Sequence, residues 1–254
     1  MSAKLTVYFL TYNSGEKYLH QIIERIRPIA DEILFIDSNS TDNTRQIAES
    51  YGARVLVRPF DDFSSQRAFA WANAAHDYVL GLDDDEVPTV ALCERLKKMK
   101  EEGFAHDAYV IRRNNIVLGK QVTCYYPLMN PDYVIRLLNK KFVKPGERKV
   151  HPTPYGYRSI EQIETGELTH YTFENRTELN NKIRSYGKVA AREVIEAKEK
   201  FILLRYLAMP FLVWTKWYLV KGGWKDGQVG WQLGRYAFMT VHTKYKNALK
   251  LAGF

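Results

Sequence analysis

Cysteine is scarce in this 254-residue chain: only Cys93 and Cys124 occur, far apart and without Cys-x-x-Cys spacing. That excludes a disulfide framework and a zinc ribbon. Glycine and proline stay at ordinary levels, 15 and 9 residues, which excludes collagen-like and low-complexity architectures. No apolar run is long and uncharged enough for a spanning helix; the best candidate, residues 201–220, is broken by Arg205, Pro210 and Lys216. The first residues, Met1-Ser2-Ala3-Lys4, do not follow the pattern of a secretory leader, so the expected setting is cytoplasmic. Internal repeats are not visible, nor is any linker long enough to divide two independent domains. Acids are scarce in the last third. Residues 171–254 hold 15 Lys+Arg and 6 Asp+Glu, a balance of +9, whereas residues 1–170 hold 22 and 23, a balance of −1. This split points to an acidic surface, nucleic acid or anionic lipid, as the partner of the basic segment.

What the chain does have is a regular alternation of short apolar runs and helical periods. Leu5 to Leu10 is a buried strand ending in the polar turn Thr11-Tyr12-Asn13-Ser14-Gly15. Leu19, Ile22, Ile23 and Ile26 then carry a helical period between Tyr18 and Ile29. A second strand, Ile33 to Asp37, stops at Ser38-Asn39-Ser40; a helix over Thr44 to Tyr51 is capped from Thr41 or Asp42 and closed by Gly52. Val55 to Val57 is a third strand, Gln66 to His76 a helix, and Tyr78 to Leu82 a fourth strand running into four acids. Such a βαβ alternation implies an α/β protein with a mainly parallel, doubly wound sheet. Ligands bind such sheets at the carboxyl ends of their strands. Thr11, Asn13, Asp37 and the acids at 83–86 all fall there. Beyond residue 105 the pattern changes to extended segments, Tyr109 to Ile116 and Tyr133 to Leu138, and a helical period returns over Glu178 to Glu199.

Asp83-Asp84-Asp85-Glu86 at a strand end is an unusual concentration of like charge. Mutual repulsion there calls for a cation, and hard carboxylate oxygens suit Mg²⁺ or Mn²⁺. The plainer alternative is an acidic turn before a helix starting near Pro88.

Three segments together resemble the family 2 glycosyltransferases, inverting enzymes with the GT-A nucleotide-diphosphosugar fold. They are Thr11-Tyr12-Asn13, Ile36-Asp37-Ser38-Asn39-Ser40-Thr41-Asp42-Asn43-Thr44, and Leu82-Asp83-Asp84-Asp85-Glu86. The chain is most similar to the bacterial branch containing lipopolysaccharide-core β-1,4-glucosyltransferases. Gln66-Arg67 matches a Gln-Arg pair of that branch, and Asp83 to Glu86 matches its Asp-Ala-Asp-Glu motif with Asp84 in place of Ala. Further similar blocks are Arg113…Gly119, Arg136-Leu137-Leu138, Val150-His151, His170-Tyr171 and Lys221-Gly222-Gly223-Trp224-Lys225-Asp226-Gly227.

The resemblance implies roles for single residues. Asp37 would accept from the uracil imide of a UDP-sugar, with Thr11 and Asn13 lining the same pocket. Asp83 would lie near the ribose with Asp84 beside it, and Asp85 would be the principal ligand of Mg²⁺ or Mn²⁺. Arg67 would approach the base or the phosphates, or else is a surface helix residue. For Asp37 the simpler alternative is an Asx turn with Asn39 or Ser40. One-step inversion needs a base. Relatives read Val-His-Glu where this chain has Val150-His151-Pro152, which leaves Glu147 or His151 as the candidate, each of which could equally be an ordinary loop residue.

The tail from Phe201 interleaves Trp214, Trp217, Trp224 and Trp231 with Lys and Arg. That composition suits helices lying in a membrane interface; the alternatives are a cover for the catalytic domain's flank or a dimer interface. The expected organisation is a GT-A catalytic domain over 1–175, with a nucleotide-binding half at 1–86 and an acceptor-side half at 105–175. A basic helical extension follows over 176–254. The expected activity is transfer of a hexose, glucose foremost, from a UDP-sugar to a lipid-linked glycan such as lipopolysaccharide core, at the inner face of the cytoplasmic membrane. A nucleotidyltransferase would want a Gly-rich basic loop after the first strand, where this chain has a single glycine, Gly15. A nucleic-acid-binding protein would leave the acidic cluster unexplained, so no nucleic-acid partner is expected.

Overall fold

The computed structural model describes residues 2–15, 17–146 and 153–253. Both candidate bases, Glu147 and His151, lie outside the described residues. The chain divides into two compact units. One comprises Met1–Arg113 and Tyr133–His170, the other Asn114–Asp132 and Tyr171–Phe254. The participation of 114–132 in the second unit has no counterpart in the sequence, where 109–116 read as one extended segment and the residues from 117 to 132 as loops.

In the first unit β1 (Leu5–Thr11), α1 (Leu19–Ile26), β2 (Glu32–Asp37), α2 (Thr44–Ser50), β3 (Arg54–Val57), α3 (Phe63–Asn73) and β4 (Tyr78–Asp83) reproduce the expected alternation. β5 (Glu86–Pro88) and α4 (Val90–Glu102) follow, with Thr89 capping α4 through its side chain. α4 starts two residues beyond Pro88, near the expected helix start, and the short strand β5 precedes it. Three longer strands complete the sheet: β6 (Ala108–Val117), β10 (Asp132–Asn139) and β11 (Ile160–Phe173). Strand order is β3-β2-β1-β4-β10-β6-β11-β5. β1 pairs in parallel with β2 and β4, and β2 with β3, whereas β10 on β4 and β11 on β5 are antiparallel. The parallel, doubly wound part is therefore confined to the first four strands, and the sheet as a whole is mixed.

The central strands are apolar on both faces because helices cover both. Leu5, Val7, Phe9, Leu34 and Ile36 are fully buried, and the Phe9 and Phe35 rings stack at 4.7 Å. α1 buries Leu19, Ile22, Ile23 and Ile26, a stripe that recurs every three or four residues. Each such side chain contributes about 1.5–3 kcal/mol of transfer free energy.

The second unit contains β7 (Lys120–Gln121), the hairpin of β8 (Cys124–Tyr125) and β9 (Leu128–Met129), and a helical part. α5 (Arg176–Glu196) is capped by the Asn175 side chain. α6 (Ile202–Trp214) runs straight through Pro210, which is buried, and passes into a π-helical segment, Thr215–Val220. Pro210 was expected to interrupt the helix. It removes one amide donor but does not end the element. A 3₁₀ turn, Gly223–Asp226, leads into the 24-residue α7 (Gln228–Leu251).

Candidate functional site

Strand register assembles the site. Thr11 ends β1 opposite Asp37, which ends β2, and on its other side β1 places Leu10 opposite Asp83 at the end of β4. Three motifs separated by dozens of residues thus emerge side by side at the carboxyl edge of the parallel strands.

The loops after β1 and β2 are locked together by side-chain-to-backbone bonds. The Asn13 amide donates to Ser40 Oγ at 2.9 Å, and the Thr41 amide donates to Asn13 Oδ1 at 2.8 Å. Asn13 is left-handed at φ 53°, a conformation that Asn tolerates better than most residues. Asp42 accepts from the Gly15 and Thr44 amides at 3.0 Å each, and these bonds outweigh its partial burial to keep its carboxyl below the usual range. Gly15 has no alternative: a Cβ there would lie 1.9 Å from Asn43 Oδ1 and 2.9 Å from the Thr44 amide nitrogen.

Asp37 is fully buried. Its Oδ2 accepts from the Ser40 amide at 2.9 Å, with Arg45 Nε at 3.8 Å. Among the described residues its Oδ1 has no hydrogen-bond partner, and neither does the buried hydroxyl of Thr11. An orphaned carboxylate oxygen and an orphaned hydroxyl at neighbouring strand ends are costly unless polar groups arrive from outside the chain. A ligand with an N–H between flanking polar groups fits that requirement.

Gln66, fully buried on α3, donates to Ser38 Oγ and to the Arg58 carbonyl at 3.1 and 3.2 Å while accepting from Arg58 at 2.6 Å. It fixes α3 to the loop after β2 and so presents the next residue, Arg67, to the acidic loop.

The acids 83–86 divide by environment. Glu86, fully buried on β5, accepts from Arg113 at 2.7 Å and from Arg136. Arg136 also donates to Asp83. Burial pushes the Asp83 carboxyl up, but Arg136, Arg67 and His170 more than reverse this and hold it well below the usual range. Asp84 has no such cations. Burial, then the charges of Asp85 and Asp83, push it up to about 6 despite a hydrogen bond from the Ser14 hydroxyl. Asp85 is about one-third exposed, 34%, with His170 Nε2 at 3.3 Å from its Oδ2. His170 reaches it because β11 sets His170 opposite Glu86.

Among the described residues no group of three or more His, Cys, Asp or Glu forms a metal cage. Mg²⁺ and Mn²⁺ bound through substrate phosphates need only one or two protein donors. Asp85 and His170 supply one oxygen and one nitrogen side by side, with Asp85 open on one side, so the pair fits such an ion.

The structure thus gathers Thr11, Asn13, Asp37, Arg67, Asp83, Asp84 and Asp85 at one edge. The Ser40 amide meets the turn expected at Asp37, while Ser14, Gln66, Arg136 and His170 carried no individual expectation. Gln66, Arg136 and His170 stand inside quoted motifs, which was the available signal; their partners lie far away in sequence.

The model of glycosyl transferase family 2 matches residues 6–161. An uncharacterized glycosyltransferase of Rickettsia typhi is 28% identical over 83% of this chain and 74% of its own length. The lipopolysaccharide core biosynthesis glycosyltransferase LpsC of Rhizobium meliloti is 24% identical over 97% of this chain and 94% of its own. Among solved structures, glucosyl-3-phosphoglycerate synthase of Mycobacterium tuberculosis is 18% identical, with a TM-score of 0.48 over 76% of this chain and 79% of that one.

Proposed function

The chain belongs to glycosyl transferase family 2, and on that premise we propose that it is an inverting hexosyltransferase that takes a UDP-sugar as donor. The observation that carries the donor assignment is the orphaned Oδ1 of Asp37, fully buried beside the orphaned Thr11 hydroxyl. The uracil imide offers one N–H donor between two carbonyl acceptors. Asp37 Oδ1 takes the N–H, and Thr11 donates its hydroxyl hydrogen to a carbonyl. Cytosine has a bare ring nitrogen in place of that N–H and leaves Asp37 Oδ1 facing an acceptor.

From that anchor the sugar diphosphate runs past Asp83, on the ribose side, toward Asp85 and Arg67. Asp85 and His170 would hold a divalent ion, which would supply positive charge where the leaving diphosphate becomes more negative. The acceptor hydroxyl attacks the anomeric carbon from the face opposite the diphosphate, forming a C–O bond as the bond to the phosphate oxygen breaks. Glu147 or His151 takes the hydroxyl proton. Gly146, immediately before that segment, accepts from Ser64 at the start of α3, which ties the base segment's entry to the helix carrying Arg67.

The acceptor is a lipid-linked glycan of the lipopolysaccharide-core type. Support comes from LpsC, whose similarity extends over nearly the whole chain, and from the basic, aromatic second unit, whose composition suits the inner face of the cytoplasmic membrane. A donor panel tests the reading. UDP-glucose with Mn²⁺ should raise the melting temperature by mass action, and GDP- and CMP-sugars should not. Equal stabilisation by all three would overturn the uridine assignment.

A further inference from the structure

Helix α6 is apolar except for Arg205, yet only one side of it is covered. Ile202, Tyr206, Met209 and Val213 pack on a buried cluster from α5 and α7, including Val194, Val241 and Tyr245. The opposite side presents Leu203, Leu207 and Phe211, four residues apart, flanked by Leu204 and Leu212, and all five are between 58% and 63% exposed. The π-helical segment prolongs the same side with Leu219 and Val220. Helices apolar on every side are normally buried, and soluble monomers seldom expose contiguous apolar patches beyond a few hundred Å².

The Lys221-Gly222-Gly223-Trp224-Lys225-Asp226-Gly227 motif extends this surface. The buried Asp226 carboxylate accepts from the Thr123 amide and hydroxyl at 2.7 and 2.9 Å, which pins the turn. A Cβ on Gly230 would lie 1.9 Å from the Gly223 carbonyl oxygen, so the turn seats directly on α7. The result holds Trp224 and Trp231 half exposed, with Trp231 against Trp214 and Tyr218. Lys216 and Lys225 are exposed on these segments, Lys221 lies between them, and the sole acid from residue 201 onward is the buried Asp226.

We infer that the face formed by α6, the π-helical segment and the Trp224 turn docks on an anionic lipid bilayer, with α6 lying in the interfacial plane. An apolar stripe bordered by lysines and half-exposed tryptophans matches a leaflet in both respects: acyl chains for the leucines, acidic headgroups for the lysines. A second copy presents the same positive charge and lacks that complementarity. No helix among the described residues is long and apolar enough to cross the membrane. This deepens the lipid-linked acceptor proposed above and rests on it.

The test is co-sedimentation of the full chain with vesicles of phosphatidylglycerol and phosphatidylethanolamine, against phosphatidylcholine alone, across a salt series. The wild type is expected to bind the anionic vesicles. L207E/F211E should weaken binding at least tenfold at every salt concentration. K216Q/K221Q/K225Q should weaken it about fivefold per lysine at low salt only. Both variants sit on exposed or half-exposed positions and should keep the wild-type melting temperature and its increase with UDP and Mn²⁺. Failure of the wild type to bind at low salt, or undiminished binding by L207E/F211E, overturns the inference, as does a dimer that this variant dissolves without any vesicle binding. If vesicles bind but UDP does not stabilise the protein, the donor assignment fails while the docking face stands.

Discussion

Thr11 and Asp37 end adjacent parallel strands in register, and each leaves one buried oxygen without a partner. This pairing yields a specificity prediction. Asp37→Asn keeps the shape and can still accept from the Ser40 amide, but it turns an N–H donor toward the imide N–H. UDP affinity should fall by roughly 1.5–3 kcal/mol, the worth of a hydrogen bond to a charged group. Cytosine has an acceptor at that ring nitrogen, so CDP should gain relative to UDP. Calorimetric titration of both nucleotides against both proteins checks this; an unchanged UDP/CDP ratio counts against the base pocket.

Asp85 and His170 are predicted to share the divalent ion. Asp85→Asn and His170→Ala should each weaken Mn²⁺ binding in the presence of UDP, Asp85→Asn more strongly because it also removes charge. The electron paramagnetic resonance signal of free Mn²⁺ reads this without reference to turnover. Wild-type Mn²⁺ affinity in both variants would remove the pair from the metal site.

The Glu86–Arg136–Asp83 network is buried, so truncating one member strands the others. Arg136→Met should cost about 3–5 kcal/mol, as for other broken buried pairs. At roughly 2–4 °C per kcal/mol for a chain of this size, the melting temperature should drop by at least about 6 °C. Thermal unfolding followed by circular dichroism measures it, and a drop below about 2 °C would show that the network contributes little.

Asp31 gives a pH-dependent prediction away from the site. Burial pushes its carboxyl up, but hydrogen bonds from Lys100, Lys4 and the Leu5 amide bring it down to about 2. A carboxyl depressed in the folded state stabilises above its unfolded pKa of about 3.9, and that contribution fades as pH falls from about 4 to 2. Asp31→Asn should therefore cost about 2 kcal/mol at pH 7 by urea unfolding, with the difference shrinking by pH 3. A pH-independent difference would contradict this origin.

The parallel half of the fold was legible because its strands are short, purely apolar runs that end in polar motifs, so Asp37 and Asp83 to Asp85 could be placed at strand ends before any contact was known. β11 was not legible. Glu161, Gln162, Glu164 and Glu167 give it the polarity of a loop, and it forms a strand through its pairing partners. That hid His170, whose partner Asp85 is remote in sequence. The buried pairing of Glu86 with Arg113 and Arg136 was hidden for the same reason, since an acid next to three others reads as one more solvated charge. The helical character of the tail was legible from its composition, but the bounds of α7 were not, because Gly230, Gly234 and its aromatics lower helix propensity; close packing, not local preference, fixes its length.

On the proposed function, the edge holding Asp37 and Asp85 turns over a UDP-hexose with a divalent ion. The most direct measurement is release of UDP from UDP-glucose in the presence of Mn²⁺ and a core-truncated lipopolysaccharide acceptor. Release should depend on the acceptor, vanish in EDTA, and fall at least a hundredfold in Asp85→Asn without unfolding of the protein. Undiminished release in EDTA, or from Asp85→Asn, would contradict that function.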